Sequence, residues 1–261
     1  MKSIEKRFPE LSGQSVIVTG GTRGIGRGIA HVLARAGVRL MITGRKPARL
    51  EAVAQELEEI GADFRTLQAD VADAAASRKV VGETVAAFGG VDGLVANAQS
   101  YISVKPLAEI DESDFDRLLS TGPKGTLWLM QAVRPHMQAR GRGRIVTFGS
   151  SMGFTGAPGY GPYSAAKEGV RSLTRTAARE WGRDGITVNC VCPASVAHRL
   201  PPGDEGVRAR AFAQMYEDHP LGRDGDPEAD IAPVVAFLLS DASQYMTGQT
   251  FMVDGGGMLQ A

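Results

Sequence analysis

Seven short runs of β-branched and apolar residues recur along the chain, and the stretches between them carry apolar residues at three- and four-residue spacing. The runs are SVIVT (Ser15 to Thr19), VRLMIT (Val38 to Thr43), DFRTLQA (Asp63 to Ala69), VDGLVAN (Val91 to Asn97), RIVTFG (Arg144 to Gly149), ITVNCVC (Ile186 to Cys192) and TFMVD (Thr250 to Asp254). Between them, sets such as Ile25, Ile29, Val32 and Leu33, or Leu50, Val53, Leu57 and Ile60, mark amphipathic helices. Strands joined by helical crossovers can only pair in parallel, so the pattern predicts an α/β fold, a doubly wound seven-stranded parallel sheet with helices on both faces. No repeat or linker interrupts it, and 261 residues that are 43% hydrophobic can bury one large core. The expectation is a single domain over 1–261. The least regular stretch, about 196–226, is rich in Pro, Gly and charge and reads as a substrate lid.

The first run leads directly into TGGTRGIG, Thr19 to Gly26. A strand, a tight glycine turn and a helix start make a dinucleotide site, because amides at the helix N-terminus face a pyrophosphate and glycines let it approach. Gly20, Thr22, Arg23, Gly24, Ile25 and Gly26 are therefore cofactor candidates. The second strand ends in MITGRK, with Gly44 where an acid would otherwise accept the ribose hydroxyls, followed by Arg45 and Lys46. Cations there suit the 2′-phosphate of NADP, and Arg23 can reach the same group. The alternative is that all three are solvated surface charges. Against it, Arg45 and Lys46 precede Pro47, a first helical residue, where cations oppose the helix dipole. Asp70, with Val71 beside it, closes the third strand as either an adenine contact or a helix N-cap.

YSAAK sets Tyr163 and Lys167 four residues apart on one face of a helix, just after Ser150 at the carboxyl end of the fifth strand. A tyrosine hydroxyl is a poor acid or base at neutral pH, but a lysine cation and an oxidised nicotinamide favour its phenolate. Ser150 can hydrogen-bond a substrate oxygen.

Taken with ADV, ANA, RDGITVNCVCPASV and YMTGQTFMVDGG, these motifs resemble the short-chain dehydrogenase/reductase family across Leu11 to Gly257. The resemblance implies a Rossmann fold in which Tyr163 is the general acid/base, Ser150 polarises the carbonyl or alcohol oxygen, and Lys167 tunes Tyr163 and holds the nicotinamide ribose. It also implies that Asn97 and Ala98 lie under the cofactor and that Pro193 and Val196 flank the nicotinamide. Three stretches depart from the family. Gln99 stands where a glycine is usual. Gly122, in TGPKG, replaces the asparagine that completes the catalytic tetrad through a water near the lysine; the glycine is expected to leave a gap for that water, and Pro123 to break the helix there and free carbonyls that anchor it. Ala194 and His198 replace a glycine and a threonine after the sixth strand.

The function expected is NADP(H)-dependent interconversion of a ketone or aldehyde and an alcohol. The rival is a catalytically silent NADP-binding protein of the same fold. Enoyl reduction is disfavoured, since enoyl reductases of the family separate their Tyr and Lys more widely. Pocket candidates Gln99, Tyr101, Met152, Phe154 and Tyr160, with Phe212 and Met215, are mainly apolar and suggest a hydrophobic or cyclic substrate.

Twenty-nine basic and 29 acidic residues balance to a formal net charge of zero, so neither nucleic acid nor a membrane surface is an expected partner. The N-terminal sequence lacks a secretion signal and no apolar run reaches the roughly 20 residues of a bilayer span, so a cytoplasmic protein is expected. Cys190 and Cys192 read as buried free thiols, and no metal site is expected. By the resemblance, and from apolar residues on the segments 114–140 and 163–182, the chain should form a homotetramer or homodimer.

Overall fold

A computed structural model describes residues 8–101, 104–195, 216 and 219–259. Its strands are β1 (Ser15–Thr19), β2 (Arg39–Gly44), β3 (Phe64–Gln68), β4 (Gly93–Ala96), β5 (Gly143–Phe148), β6 (Ile186–Pro193) and β7 (Thr250–Val253). They form one sheet in the order β3-β2-β1-β4-β5-β6-β7, every neighbouring pair parallel. The helices are α1 (Gly24–Arg35), α2 (Pro47–Ile60), α3 (Ala74–Phe88), α4 (Glu112–Leu119), α5 (Gly125–Ala139), the short α6 (Ser151–Thr155), α7 (Gly161–Trp181) and α8 (Ala232–Leu239). The doubly wound Rossmann fold expected from the strand and helix pattern is thus the fold observed.

Alternate residues of each central strand feed two cores. Val16, Val18, Ile42, Val146 and Val191 meet α1, α2 and α8 on one face through Ile29, Leu33, Leu57, Val235 and Leu239. Ile17, Leu94, Ile145 and Val188 meet α3, α5 and α7 on the other through Val80, Met130, Val133 and Trp181. Burial on both faces explains why the central strands read as unbroken apolar runs. Each fully buried Leu or Ile contributes on the order of 2 kcal/mol of transfer free energy. The chain winds outward from β1 to β3, then returns to β4 on the other side of β1. The carboxyl ends of β1 and β4 therefore diverge into the crevice where such sheets bind ligands.

One local expectation fails. The chain does not break at Gly122 and Pro123; Ser120–Lys124 form a π-helical turn that joins α4 to α5 with Gly122 still helical. The wider turn passes over the missing Pro123 N–H by using bonds of longer reach, and Gly125 N–H donates to the carbonyls of Ser120 and Gly122. Those carbonyls are engaged with the backbone, not freed.

Candidate active site

The glycine turn is built as a cradle. Gly20 and Gly24 take positive φ values of 64° and 52°, and a Cβ on Gly26 would lie on the Gly20 carbonyl oxygen. Thr19 at the end of β1 buckles the turn to β4: its hydroxyl accepts the Asn97 and Ala98 N–H groups, both at 3.1 Å. Asn97 Nδ2 donates to the carbonyls of Thr19 and Gly20 at 3.0 and 3.3 Å. Asn97 and Ala98 are thus bound to the turn, with Asn97 shaping it. The N-terminus of α1 has Arg23 as its cap residue, no side-chain cap bond and no acid in its first turn. Open amides beside a glycine cradle fit a phosphate. Ile25 contributes to this fit only through its backbone, since its side chain lies in the core.

The corner beside β2 is cationic by construction. A Cβ at Gly44 would stand 2.7 Å from the Thr22 methyl, so Thr22 excludes a carboxylate from the place where one would accept ribose hydroxyls. Pro47 is an N-terminal residue of α2, and neither a capping side chain nor a first-turn acid offsets Arg45 and Lys46 before it. Arg45 is 61% exposed and lies 3.6 Å from Asp70, an exposed pair of small worth that leaves the guanidinium available to an anion. The N-cap alternative for Asp70 does not hold. Asp73 caps α3 by accepting the Ala75 N–H, whereas Asp70 accepts the Ala72 N–H in a local turn. Val71 is buried against Gly125.

Ser150, Tyr163 and Lys167 are brought together by two hydrogen bonds that stitch α7 to the chain leaving β5. Lys167 Nζ donates to the Phe148 carbonyl at 2.9 Å, and Ser164 Oγ donates to the Met152 carbonyl at 2.9 Å. Ser150 lies between those anchors. Its Oγ accepts the Met152 N–H at 3.2 Å as the cap of α6, which leaves the hydroxyl proton to be donated outward. Lys167 is only 6% exposed and its Nζ stands 5.6 Å from the Tyr163 ring centroid. Tyr101 and Tyr160 meet the Tyr163 ring edge-on, with centroids 6.2 and 6.3 Å away, while the Phe154 ring is stacked on Arg171, whose Cζ is 3.6 Å from its centroid. The cluster can hold an oxygen atom between a hydroxyl donor and a phenol, with a cation behind the phenol.

The space over Gly122 is not the empty gap expected from the sequence, for a side chain reaches into it. A Cβ there would lie 3.0 Å from Gln99 Nε2 and 3.3 Å from Ala166 Cβ. Gln99 thus extends toward the π turn.

Pro193 ends β6, and the next residue ties it to β7, Ala194 N–H donating to the Val253 carbonyl. Val196, His198, Phe212, Met215 and most of the proposed lid lie outside the described residues. A cavity of about 560 Å³ at the ends of β6 and β7, lined by Ala194, Leu221, Arg223, Asp230 and Met252, includes none of Ser150, Tyr163 or Lys167. Cys190 and Cys192 are free and buried; the hydrogen bond with Cys190, together with burial, raises the Cys192 pKa and keeps it a thiol. Among the described residues no group of three or more His, Cys, Asp or Glu could hold a metal ion, and no helix is long and apolar enough to cross a membrane. Sequence reasoning missed Thr19, Ser164 and the Thr22–Gly44 contact, since each acts across elements and carries no local signature.

Residues 20–257 match the family model described as Enoyl-(Acyl carrier protein) reductase. The chain is 36% identical over 257 residues to the 12alpha-hydroxysteroid dehydrogenase of a Clostridium species, covering 94% of this chain and 97% of that protein. It is 38% identical over 245 residues to 3-oxoacyl-(acyl-carrier-protein) reductase FabG of Staphylococcus aureus, covering 93% and 97%. The crystal structure of levodione reductase superposes with a TM-score of 0.89 at 32% identity, covering 94% and 98%.

Proposed function

The chain belongs to the short-chain dehydrogenase/reductase family, and on that premise we propose that it is an NADP(H)-dependent oxidoreductase interconverting a ketone or aldehyde and an alcohol. The observation that carries the proposal is the bracketing of Ser150 and Tyr163 by the two bonds from α7, with Lys167 behind them. Bound NADP(H) would be held by the Gly20–Gly26 turn, Arg23 and Arg45, and it supplies or accepts the hydride. In reduction, Tyr163 Oη gives a proton to the carbonyl oxygen while the Ser150 hydroxyl donates a hydrogen bond to the same atom. The Lys167 ammonium, fixed on the Phe148 carbonyl, stabilises charge developing on the tyrosine oxygen. In oxidation the same groups act in reverse.

Preference for NADP over NAD rests on Gly44, shielded by Thr22, and on Arg45 beside it. An apolar or cyclic substrate suits the Tyr101 and Tyr160 rings flanking Tyr163, and two relatives are by name a hydroxysteroid dehydrogenase and levodione reductase. The four-residue Tyr163–Lys167 spacing favours carbonyl over enoyl reduction. A cytoplasmic location and a homotetrameric or homodimeric assembly belong to the same reading.

The test is nicotinamide absorbance during reduction of a panel of cyclic apolar ketones, alongside fluorescence titration with both cofactors. Arg45→Ala should weaken NADPH binding about tenfold and leave NADH nearly unchanged. Equal affinity of wild type for both cofactors would refute the NADP assignment, and a silent panel would favour the non-catalytic NADP-binding reading.

A further inference from the structure

Gln99 Nε2 is sealed from solvent and has no hydrogen-bond partner in the protein. Folded chains seldom keep a buried donor unmet unless something else occupies it. The backbone beside it is fixed to the facing turn. Ser100 N–H donates to Thr121 Oγ1 at 3.0 Å, and that hydroxyl donates to the Arg117 carbonyl at 2.8 Å, which fixes the exit of β4 on the π turn one residue from Gln99 and one from Gly122. The point 3.0 Å from Nε2, where a Gly122 Cβ would stand, is also 3.3 Å from Ala166 Cβ. The amide therefore lies where the π turn meets the turn of α7 that carries Tyr163 and Lys167.

That junction has a task to perform if the proposed oxidoreductase reading, on which this inference rests, is right. Each reduction moves one proton from Tyr163 to the substrate oxygen, and the tyrosinate must recover it from bulk water. Lys167 is almost fully buried and one of its donors is spent on the Phe148 carbonyl. The Ser120 and Gly122 carbonyls of the π turn both receive the Gly125 N–H. The Gln99 carboxamide brings an uncommitted donor to this place. We propose that Gln99 is a positioning residue for proton exchange: its carboxamide orients a water through which the Tyr163–Lys167 pair regains the proton given to the substrate. One proton passes from bulk water along this route for every hydride transferred in reduction, and one leaves by it in oxidation.

Three variants and one spectroscopic measurement test the idea. Gln99→Leu keeps the volume and removes the amide; kcat should fall about tenfold or more, with ketone KM and NADPH affinity nearly unchanged and a larger solvent deuterium isotope effect on kcat. Gln99→Gly should be similarly slow. Adding Gly122→Asn to Gln99→Gly returns an amide to the same space from the facing wall and should restore kcat to within about threefold of wild type. In ¹⁵N-labelled wild type, the Gln99 side-chain amide, identified by its loss in Gln99→Leu, should show cross-relaxation with a bound water. Wild-type kcat in Gln99→Leu, no rescue in the double variant, or an amide without that water signal would each overturn the proposal. A wild type silent toward every ketone would instead sink the oxidoreductase reading, and the NMR measurement would then decide the Gln99 placement alone.

Discussion

Ser150 shows how a residue can serve fold and chemistry at once, because accepting the Met152 N–H fixes its oxygen while leaving its proton to point elsewhere. Tyr163 has no such structural duty: the α7 anchors are made by Ser164 and Lys167. Tyr163→Phe should therefore fold and bind NADPH as wild type does, yet lose turnover by about a hundredfold to ten-thousandfold, the range of a lost general acid. Steady-state rates beside a cofactor titration check it, and residual turnover near wild type would remove Tyr163 from the acid's role. Gly44 is coupled to Thr22 in the same residue-by-residue way. Gly44→Asp alone should cost about 1–3 kcal/mol through the clash with the Thr22 methyl. Gly44→Asp with Thr22→Ala should relieve that loss and shift cofactor preference toward NADH, as denaturant melts and paired titrations would show.

Among the elements, α1, α2 and the chain entering α8 are tied by a charged cluster away from the site. His31 ring nitrogens lie 2.9 Å from Glu56 and 2.8 Å from Glu228; Arg27 pairs with Glu56 and Arg35 with Glu228, each at 2.6 Å. The hydrogen bond from Arg27 holds the Glu56 carboxyl below its ordinary value of 4.5. Burial would push Glu228 up, but the bonds from Arg35 and His31 outweigh it and leave it lowered. Both folded values are depressed, so this stabilisation is present above pH 4.5 and fades as pH falls through the lowered values. Glu228→Gln should lose about 1 kcal/mol or less at neutral pH, the pair being partly exposed, and should show a shallower fall in melting temperature below pH 4.5. An unchanged acid slope would show that the cluster contributes nothing. The helices themselves were legible from apolar spacing, yet the π turn was not. Pro123 signals a break because it lacks an N–H, and only the packing of Gly122 against Ala166 and Gln99 shows that the helix continues with a wider turn.

At the scale of the whole molecule, sheet order and crevice followed from the alternation of strand and helix, since parallel crossovers admit few topologies. The glycine cradle and Ser150 follow the carboxyl ends of β1 and β5 for the same reason, whereas Tyr163 and Lys167 lie within α7 and were read from the four-residue spacing of YSAAK. The partnership of Gln99 with Gly122 was not, because it joins residues 23 apart across two elements and makes sense of two departures only when they are seen face to face. Assembly is the next consequence of this architecture. The helices α5 and α7 pack on one face of the sheet beside α3, with α4 packed on α7, and the outer sides of α4, α5 and α7 leave Phe115 39% exposed and Leu127, Trp128 and Leu173 only partly buried. Apolar residues in that number on neighbouring long helices suit an isologous contact between copies of the chain. Light scattering should therefore give a mass at least twice 27.6 kDa. Trp128→Glu, which places a charge on that contact, should lower the mass toward 27.6 kDa with the far-ultraviolet circular dichroism preserved. A wild-type mass of 27.6 kDa at all concentrations would contradict the assembly, and an undiminished oligomer in Trp128→Glu would place the contact on another face.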